Sequence, residues 1–246
     1  MAVAASLNNY AVLHYNLGKY NESEKEFNDA IAVIKTNKLQ EAMPYAIVLN
    51  NQAMLYQSMG NYEAAVKVLL QAMTLSAKLE SAKARNQLKF LSNLALLYQQ
   101  MGKYAEAEKI YLELDKKLDK GKPEQANMLN NYAILSLLMK KEDKVESMLK
   151  QSTGIYKSSM GESSPAYAKV ISDLGNFYRH KARYAEAEPL LQQALQIREE
   201  VLGTNHPMYV QSQEDLALLH WKQKDFTTSI SLYKTVMEKT LDFINS

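Results

Sequence analysis

The chain has 246 residues, a nearly balanced charge of 29 basic against 27 acidic side chains, and no cysteine. Disulfides, thiolate chemistry and cysteine-ligated metals are therefore excluded, and the charge balance exerts no global pull toward nucleic acid or membrane. No apolar run reaches the length of a bilayer span. The opening Met1–Leu7 stretch is apolar but short and lacks a basic flank, so it does not read as a secretory signal. The absence of cysteine leaves the compartment open, and the cytoplasm is the working expectation.

From its first residues the chain repeats. Leu7-Asn8-Asn9-Tyr10-Ala11 leads to Gly18-Lys19-Tyr20, and the phrase returns from Leu49 to Gly60-Asn61-Tyr62 and from Leu91 to Gly102-Lys103-Tyr104, a 42-residue period. A fixed period of this size means stacked supersecondary units rather than one globular fold. Each repeat holds two helical patterns. In the second, Leu49, Gln52, Ala53 and Tyr56 recur at spacings of three and four, which is one face of a helix, here called A. Gly60 breaks it, and Tyr62, Ala65, Leu69 and Ala72 stripe a second helix, B. Small residues at Ala53 and Ala65 let two antiparallel helices approach closely.

Six repeats follow in order, at about 4–45, 46–87, 88–125, 126–167, 168–209 and 210–246, as a single array. Their helix A crossing residues are Ala11, Ala53, Ala95, Ala133, Gly175 and Ala217. The small residues of helix B are Ser23, Ala65, Ala107, Val145, Ala187 and Ser229. The interval from Ala95 to Ala133 is 38, so the third repeat has lost four residues from its helix B or the loop after it. Stop-and-restart signals, a glycine and then a proline, follow the third, fourth and fifth repeats at Gly121/Pro123, Gly161/Pro165 and Gly203/Pro207, with Pro44 in the same role earlier. Pro189 lies inside a helix B pattern and is expected to cost one backbone hydrogen bond and a slight bend. The fourth repeat departs from its siblings at Ser136, Lys140, Glu142 and Val145, and looser packing is expected there.

These residues resemble the tetratricopeptide repeat, with a small residue in helix A, an aromatic after the turn and alanines in helix B. The long period is similar to the kinesin-light-chain variety. The fifth repeat matches best, from Tyr184-Ala185-Glu186-Ala187 through Ala194-Leu195 to Gly203-Thr204-Asn205-His206-Pro207. The resemblance covers nearly the whole chain and implies an all-α, right-handed α-solenoid superhelix of six helix pairs. It also implies a binding role, in some bacterial relatives joined to a protease domain of the CHAT type.

In such a stack the A helices line the inner wall. Counted from the crossing residue, positions −3, −2, +1, +4 and +5 face inward. Position −2 carries Asn9, Asn51, Asn93, Asn131, Asp173 and Asp215, and position −3 carries Asn8, Asn50, Ser92, Asn130, Ser172 and Glu214. An asparagine offers an acceptor and two donors. A single one serves equally well to bond neighbouring chain and stabilise the stack; the column as a whole is read as contact with the backbone of an extended peptide. The walls vary: Met54, Leu96 and Ile134 at +1, Leu137, Arg179 and Trp221 at +4, and Leu138 at +5. Ile134, Leu137 and Leu138 form either an apolar binding patch or packing against the next repeat. Trp221, the one tryptophan, is either a binding anchor or packing.

No catalytic or metal-ligating constellation is legible. His14 and His220 fall in the slot of Tyr56, Tyr98 and Tyr178, His206 is in a loop, and His180 alone is placed toward the groove. No metal-ligand spacing or phosphate loop occurs, so no cofactor and no metal is expected. Basic Lys116–Lys122 and Lys140-Lys141 lack the interleaved aromatics of a nucleic-acid surface. The expectation is a non-catalytic scaffold for a protein or peptide ligand, with neither nucleic acid nor membrane as partner. The alternative is a ligand-sensing domain controlling an attached effector, and a homodimer through an uncapped C-terminal face is also carried forward.

Overall fold

The computed structural model describes residues 2–79 and 83–245. Among the described residues are twelve α-helices and no strand: α1 (Ala2–Asn16), α2 (Tyr20–Thr36), α3 (Met43–Ser58), α4 (Tyr62–Lys78), α5 (Lys83–Gln100), α6 (Tyr104–Lys117), α7 (Pro123–Leu138), α8 (Val145–Met160), α9 (Pro165–His180), α10 (Tyr184–Leu202), α11 (Pro207–Lys222) and α12 (Phe226–Asn245). Odd-numbered helices are the A helices and even-numbered ones the B helices, which gives the expected all-α fold of six helix pairs. No described helix is long and apolar enough to cross a membrane.

The chain divides into two compact halves, Met1–Lys117 and Leu118–Ser246. Each is a stack of helix pairs. In the N-terminal half α1 packs on α2, α3 on α4 and α5 on α6; each B helix then packs on the next A helix, and α1 touches α3 as α3 touches α5. The C-terminal half follows the same scheme from α7 to α12, with α9 touching α11. Three of the four residues lost in the third repeat come from its B helix, since α6 has 14 residues where α2 and α4 each have 17, and the fourth comes from the connection to α7.

Every A helix ends in the same turn. Gly18, Gly60, Gly102, Lys140, Ala182 and Lys224 all have positive φ, from +57° to +75°. The next residue's amide bonds back five residues, as Lys19 N–H does to His14 O at 2.9 Å and Lys141 N–H to Ser136 O at 2.8 Å. This paired closure satisfies carbonyls that a helix end leaves unpartnered. Glycine adopts this backbone freely, whereas an L side chain meets its own carbonyl. The N-terminal half therefore uses the unstrained residue at all three turns, and the C-terminal half uses it at none.

The crossing rows are buried as the size pattern requires. Ala11, Ala95, Ala133 and Ala217 of the A helices, and Ala65, Ala107, Val145 and Ala187 of the B helices, have no exposed surface. Where serine replaces alanine its hydroxyl donates across the crossing: Ser23 Oγ to Ala11 O at 2.8 Å and Ser229 Oγ to Ala217 O at 2.9 Å. Gly175 is the tightest point, because a Cβ there would lie 2.9 Å from Leu191 Cγ and 3.2 Å from Ala187 O.

The expected loosening of the fourth repeat does not occur. Val145 and Leu149 are fully buried in a core shared with Ala133, Phe177 and Leu191. The polar substitutions find partners instead. Ser136 Oγ donates to Tyr132 O, and Glu142, in the slot of the missing aromatic, pairs with Lys181 and with His180 Nε2 at 3.3 Å. Pro189 sits inside α10, which runs unbroken from Tyr184 to Leu202.

Candidate functional site

The A helices of the N-terminal half present a face built from three kinds of row. In the N-terminal half the first row joins position −3 of one repeat to −2 of the next. Asn51 Nδ2 donates to Asn8 Oδ1 at 3.0 Å, and Asn93 Nδ2 donates to Asn50 Oδ1 at 2.8 Å. A second row joins +4 to +5 of the next repeat, through Tyr15 Oη and Ser58 Oγ at 3.0 Å and from Gln57 Nε2 to Gln100 Oε1 at 2.8 Å. Between the two polar rows stand the +1 side chains Val12, Met54 and Leu96, of which Met54 is exposed and the others half-buried.

The C-terminal half keeps the first row but reverses its polarity. Asn130 Nδ2 donates to Asp173 Oδ2 at 2.6 Å, and Ser172 Oγ donates to Asp215 Oδ2 at 2.9 Å. Lys169 Nζ also reaches Asp173 Oδ2 at 3.0 Å. Asp215 is buried rather than facing open space. Arg179 Nη1 donates to its backbone oxygen at 2.9 Å and lies 3.9 Å from its carboxylate. Beneath it Arg198 of α10, a position not singled out by sequence reasoning, is almost fully buried and donates to Ser212 Oγ at 2.6 Å. Burial pushes the Arg198 and Arg179 guanidiniums down from the usual arginine range, and the Asp215 carboxylate opposes the shift in both. A buried aspartate compensating buried cations is a structural element first.

The other expected site residues scatter over the face. Asn9 is exposed and accepts from Asn8 Nδ2 at 3.4 Å. Asn131 is half-buried with no hydrogen-bond partner among the described residues. Ile134 and Leu137 are half-buried, Leu137 lies against the core of the C-terminal half, and Leu138 is exposed. Trp221 is 52% exposed and meets the edge of Phe226, ring centroids 5.1 Å apart. His14 is turned to Glu26, 2.9 Å away, and not to the face.

One ionic cluster joins α8, α9 and α10. Glu146 accepts from Arg183 Nη1 at 2.7 Å and from Tyr178 Oη at 3.1 Å, and pairs with Lys150 at 2.7 Å, while Arg183 stacks 4.3 Å from the Tyr178 ring. Hydrogen bonds from Arg183, then Lys150, hold the Glu146 carboxyl down at about 2. The signal was present in sequence as Glu146 and Arg183, but nothing in the repeat pattern ties the two together. Among the described residues no group of three or more histidine, aspartate or glutamate side chains converges to hold a metal ion. On the outer side, Gln40, Glu41, Leu70, Thr74 and Leu75 line a shallow cleft of about 480 Å³.

Antiparallel helix pairs with small residues at each crossing, laid so that like positions form rows, define an α-helical repeat protein. The chain belongs to the tetratricopeptide repeat family, whose model matches residues 2–75, 44–114 and 167–239. The stretch between these matches holds the fourth repeat, where Ser136, Lys140, Glu142 and Val145 replace the family's residues. No curated protein sequence matches the chain. Among solved structures it is similar to BtubC (BKLC) from P. vanneervenii, at 18% identity and a TM-score of 0.68 over 95% of this chain and 93% of that one. It is also similar to a Rap protein complexed with competence and sporulation factor (12%, TM-score 0.67, 97% and 75%) and to the apo quorum sensor NprR from B. thuringiensis (14%, TM-score 0.65, 95% and 75%). At these identities the likeness is one of fold.

Proposed function

We propose that the protein is a non-catalytic protein–protein interaction scaffold that takes a peptide or helical segment across its A-helix face. The observation that carries this reading is the strip Val12, Met54 and Leu96 running between two polar rows in the N-terminal half. Each row amide spends only part of its hydrogen-bonding capacity on its neighbour. An extended segment therefore meets free amide donors and acceptors for its backbone, with apolar ground for alternate side chains. In the C-terminal half Asn131, Ile134 and Trp221 are the contacts this reading assigns, and Asp173, Asp215 and Arg179 hold the rows in place.

The test is selection of a random peptide library on the immobilised protein, followed by titration of a selected peptide into wild type and Met54→Glu. A loss of at least tenfold in affinity supports the reading. Equal affinity, with loss instead in Leu70→Glu on the outer cleft, overturns it.

A second reading makes this face the sensor of a longer protein whose attached effector, such as a CHAT-type protease, responds to the bound ligand. The fold shared with a Rap protein bound to competence and sporulation factor, and with the quorum sensor NprR, favours it. A selected peptide that binds but leaves the hydrodynamic radius and thermal stability of the repeats unchanged argues against it.

A further inference from the structure

The A-helix face of the N-terminal half is built without charge. Its positions −3, −2, +1, +4 and +5 in the first three repeats hold only asparagine, glutamine, serine, tyrosine, valine, methionine and leucine. Helices α1 and α3 contain no aspartate, glutamate, lysine or arginine along their whole length. Charge is plentiful directly behind them: α2, packed on α1, carries Glu22, Glu24, Lys25, Glu26, Asp29 and Lys35. The same A-helix positions in the C-terminal half include Asp173, Arg179, His180, Glu214, Asp215 and Lys222. Neutrality is therefore a property of this one face and not of the chain.

Its hydrogen bonds are neutral too. Asn51 pairs with Asn8 and Gln57 with Gln100, amide to amide. Gln99, 9% exposed, accepts from the Tyr111 hydroxyl at 3.3 Å, and His14 turns away to Glu26. Among the described side chains, the charge in line with Leu96 is Lys89, two turns earlier on α5 and about 10 Å away along its axis. Lys19 and Lys103 lie beyond the turns that end α1 and α5, with Lys103 Nζ 5.8 Å from the Tyr98 ring.

A ligand charge laid over Met54 gives up water and meets no opposite charge, only amides that spend part of their capacity on one another. Burying an unpaired charge is costly, so the face discriminates by desolvation rather than by attraction. Neutral peptide groups, in contrast, match the amide rows donor for acceptor. A helical ligand has already spent those groups internally, so the rows favour an extended one.

We propose that the N-terminal half selects an extended, uncharged segment and rejects one that sets lysine, arginine, aspartate or glutamate over Met54. The selectivity rests on the peptide-binding reading and names the class of ligand that this face takes.

The test uses the full chain and peptides selected on it from a random library. Those whose binding falls in Met54→Glu lie on the face, and cross-linking from benzoylphenylalanine at position 54 identifies the peptide residue opposite. That residue is uncharged, and replacing it with lysine or with glutamate lowers affinity about tenfold in either case. Affinity of the parent peptide changes less than about twofold between about 50 mM and about 500 mM salt. Met54→Glu prefers the lysine-bearing peptide over the glutamate-bearing one by about tenfold, and Met54→Lys reverses the preference, which shows that both variants are folded. Peptides that depend on Met54 yet carry a charge opposite it overturn the proposal and leave the binding reading standing. Steep salt dependence does the same, as does a bound peptide that is helical by circular dichroism. Selected peptides that are all indifferent to Met54→Glu overturn both.

Discussion

Asn51 donates its side-chain amide to Asn8 across 43 residues at 3.0 Å. The separation is one more than the repeat period, and the same offset links Asn93 to Asn50, Asn130 to Asp173 and Ser172 to Asp215. The amide column thus runs diagonally and couples consecutive repeats within each half. Its members serve the stack first, and what they offer a ligand is the capacity left over.

Cutting one rung has a stability cost. Asn50→Ala and Asn93→Ala are each expected to destabilise the protein by about 1 kcal/mol, the net worth of a partly buried hydrogen bond. The double variant should cost less than the sum of the two. Asn131→Ala, which breaks no such bond, should stay within about 0.5 kcal/mol of wild type. Urea unfolding of the four proteins measures this.

The six A-helix turns predict an asymmetry between the halves. Lys140→Gly and Ala182→Gly relieve a left-handed backbone at an L residue and are expected to stabilise by about 1 kcal/mol each, less the chain entropy glycine adds to the unfolded state. Gly60→Ala should destabilise by a similar amount. Thermal midpoints should therefore move up for the first two and down for the third.

Gly175→Ala sets two effects against each other. Alanine gains about 1 kcal/mol of helix propensity over glycine. Its Cβ would lie 2.9 Å from Leu191 Cγ and 3.2 Å from the Ala187 carbonyl oxygen, and Leu191 is buried with 1% exposure. Overpacking of this kind costs about 1–3 kcal/mol, and with backbone on one side the clash wins. The variant should unfold at lower urea than wild type.

Asp215 is the most demanding position of the expected site. Asp215→Ala leaves Arg198 and Arg179 without the carboxylate that offsets their burial, and a cost of about 3 kcal/mol is expected. Asp173→Ala, more exposed and partnered by Lys169 and Asn130, should cost less. Chemical denaturation ranks the two.

Acid should weaken the α8–α10 cluster. The Glu146 carboxyl sits at about 2 in the folded protein against an ordinary 4.5. Its contribution to stability is complete above the ordinary value and is lost as pH falls from there through about 2. Glu142 and Glu186, held down by Lys181 and Arg183 respectively, act in the same direction. Glu146→Gln should be less stable at neutral pH and show a shallower loss of melting temperature between pH 4.5 and 2. A slope equal to wild type would contradict the assignment.

Period and residue size made most of the fold legible. The crossing rows and the six turns follow from sterics local to one helix pair, and those sterics repeat in the sequence. The four-residue loss was visible as an interval, but only the 14-residue α6 assigns most of it to helix rather than loop. The diagonal row was not legible as such. Reading each position as its own column placed Asn51 beside Asn9, whereas the offset of neighbouring A helices brings it to Asn8. Asp215 was read as a groove residue because its neighbour in space, Arg198, lies on a B helix outside the inward-facing pattern. Glu146 and Arg183 were hidden for the same reason, being substitutions particular to one junction.

The central claim is that the A-helix face is where a ligand lies. Site-specific photo-cross-linking tests it most directly, with benzoylphenylalanine placed at Met54 on that face or at Leu70 on the outer side of α4, both exposed. A library-selected peptide is expected to cross-link from position 54 and not from position 70. Cross-linking from position 70 alone would move the binding surface to the B helices and contradict the account.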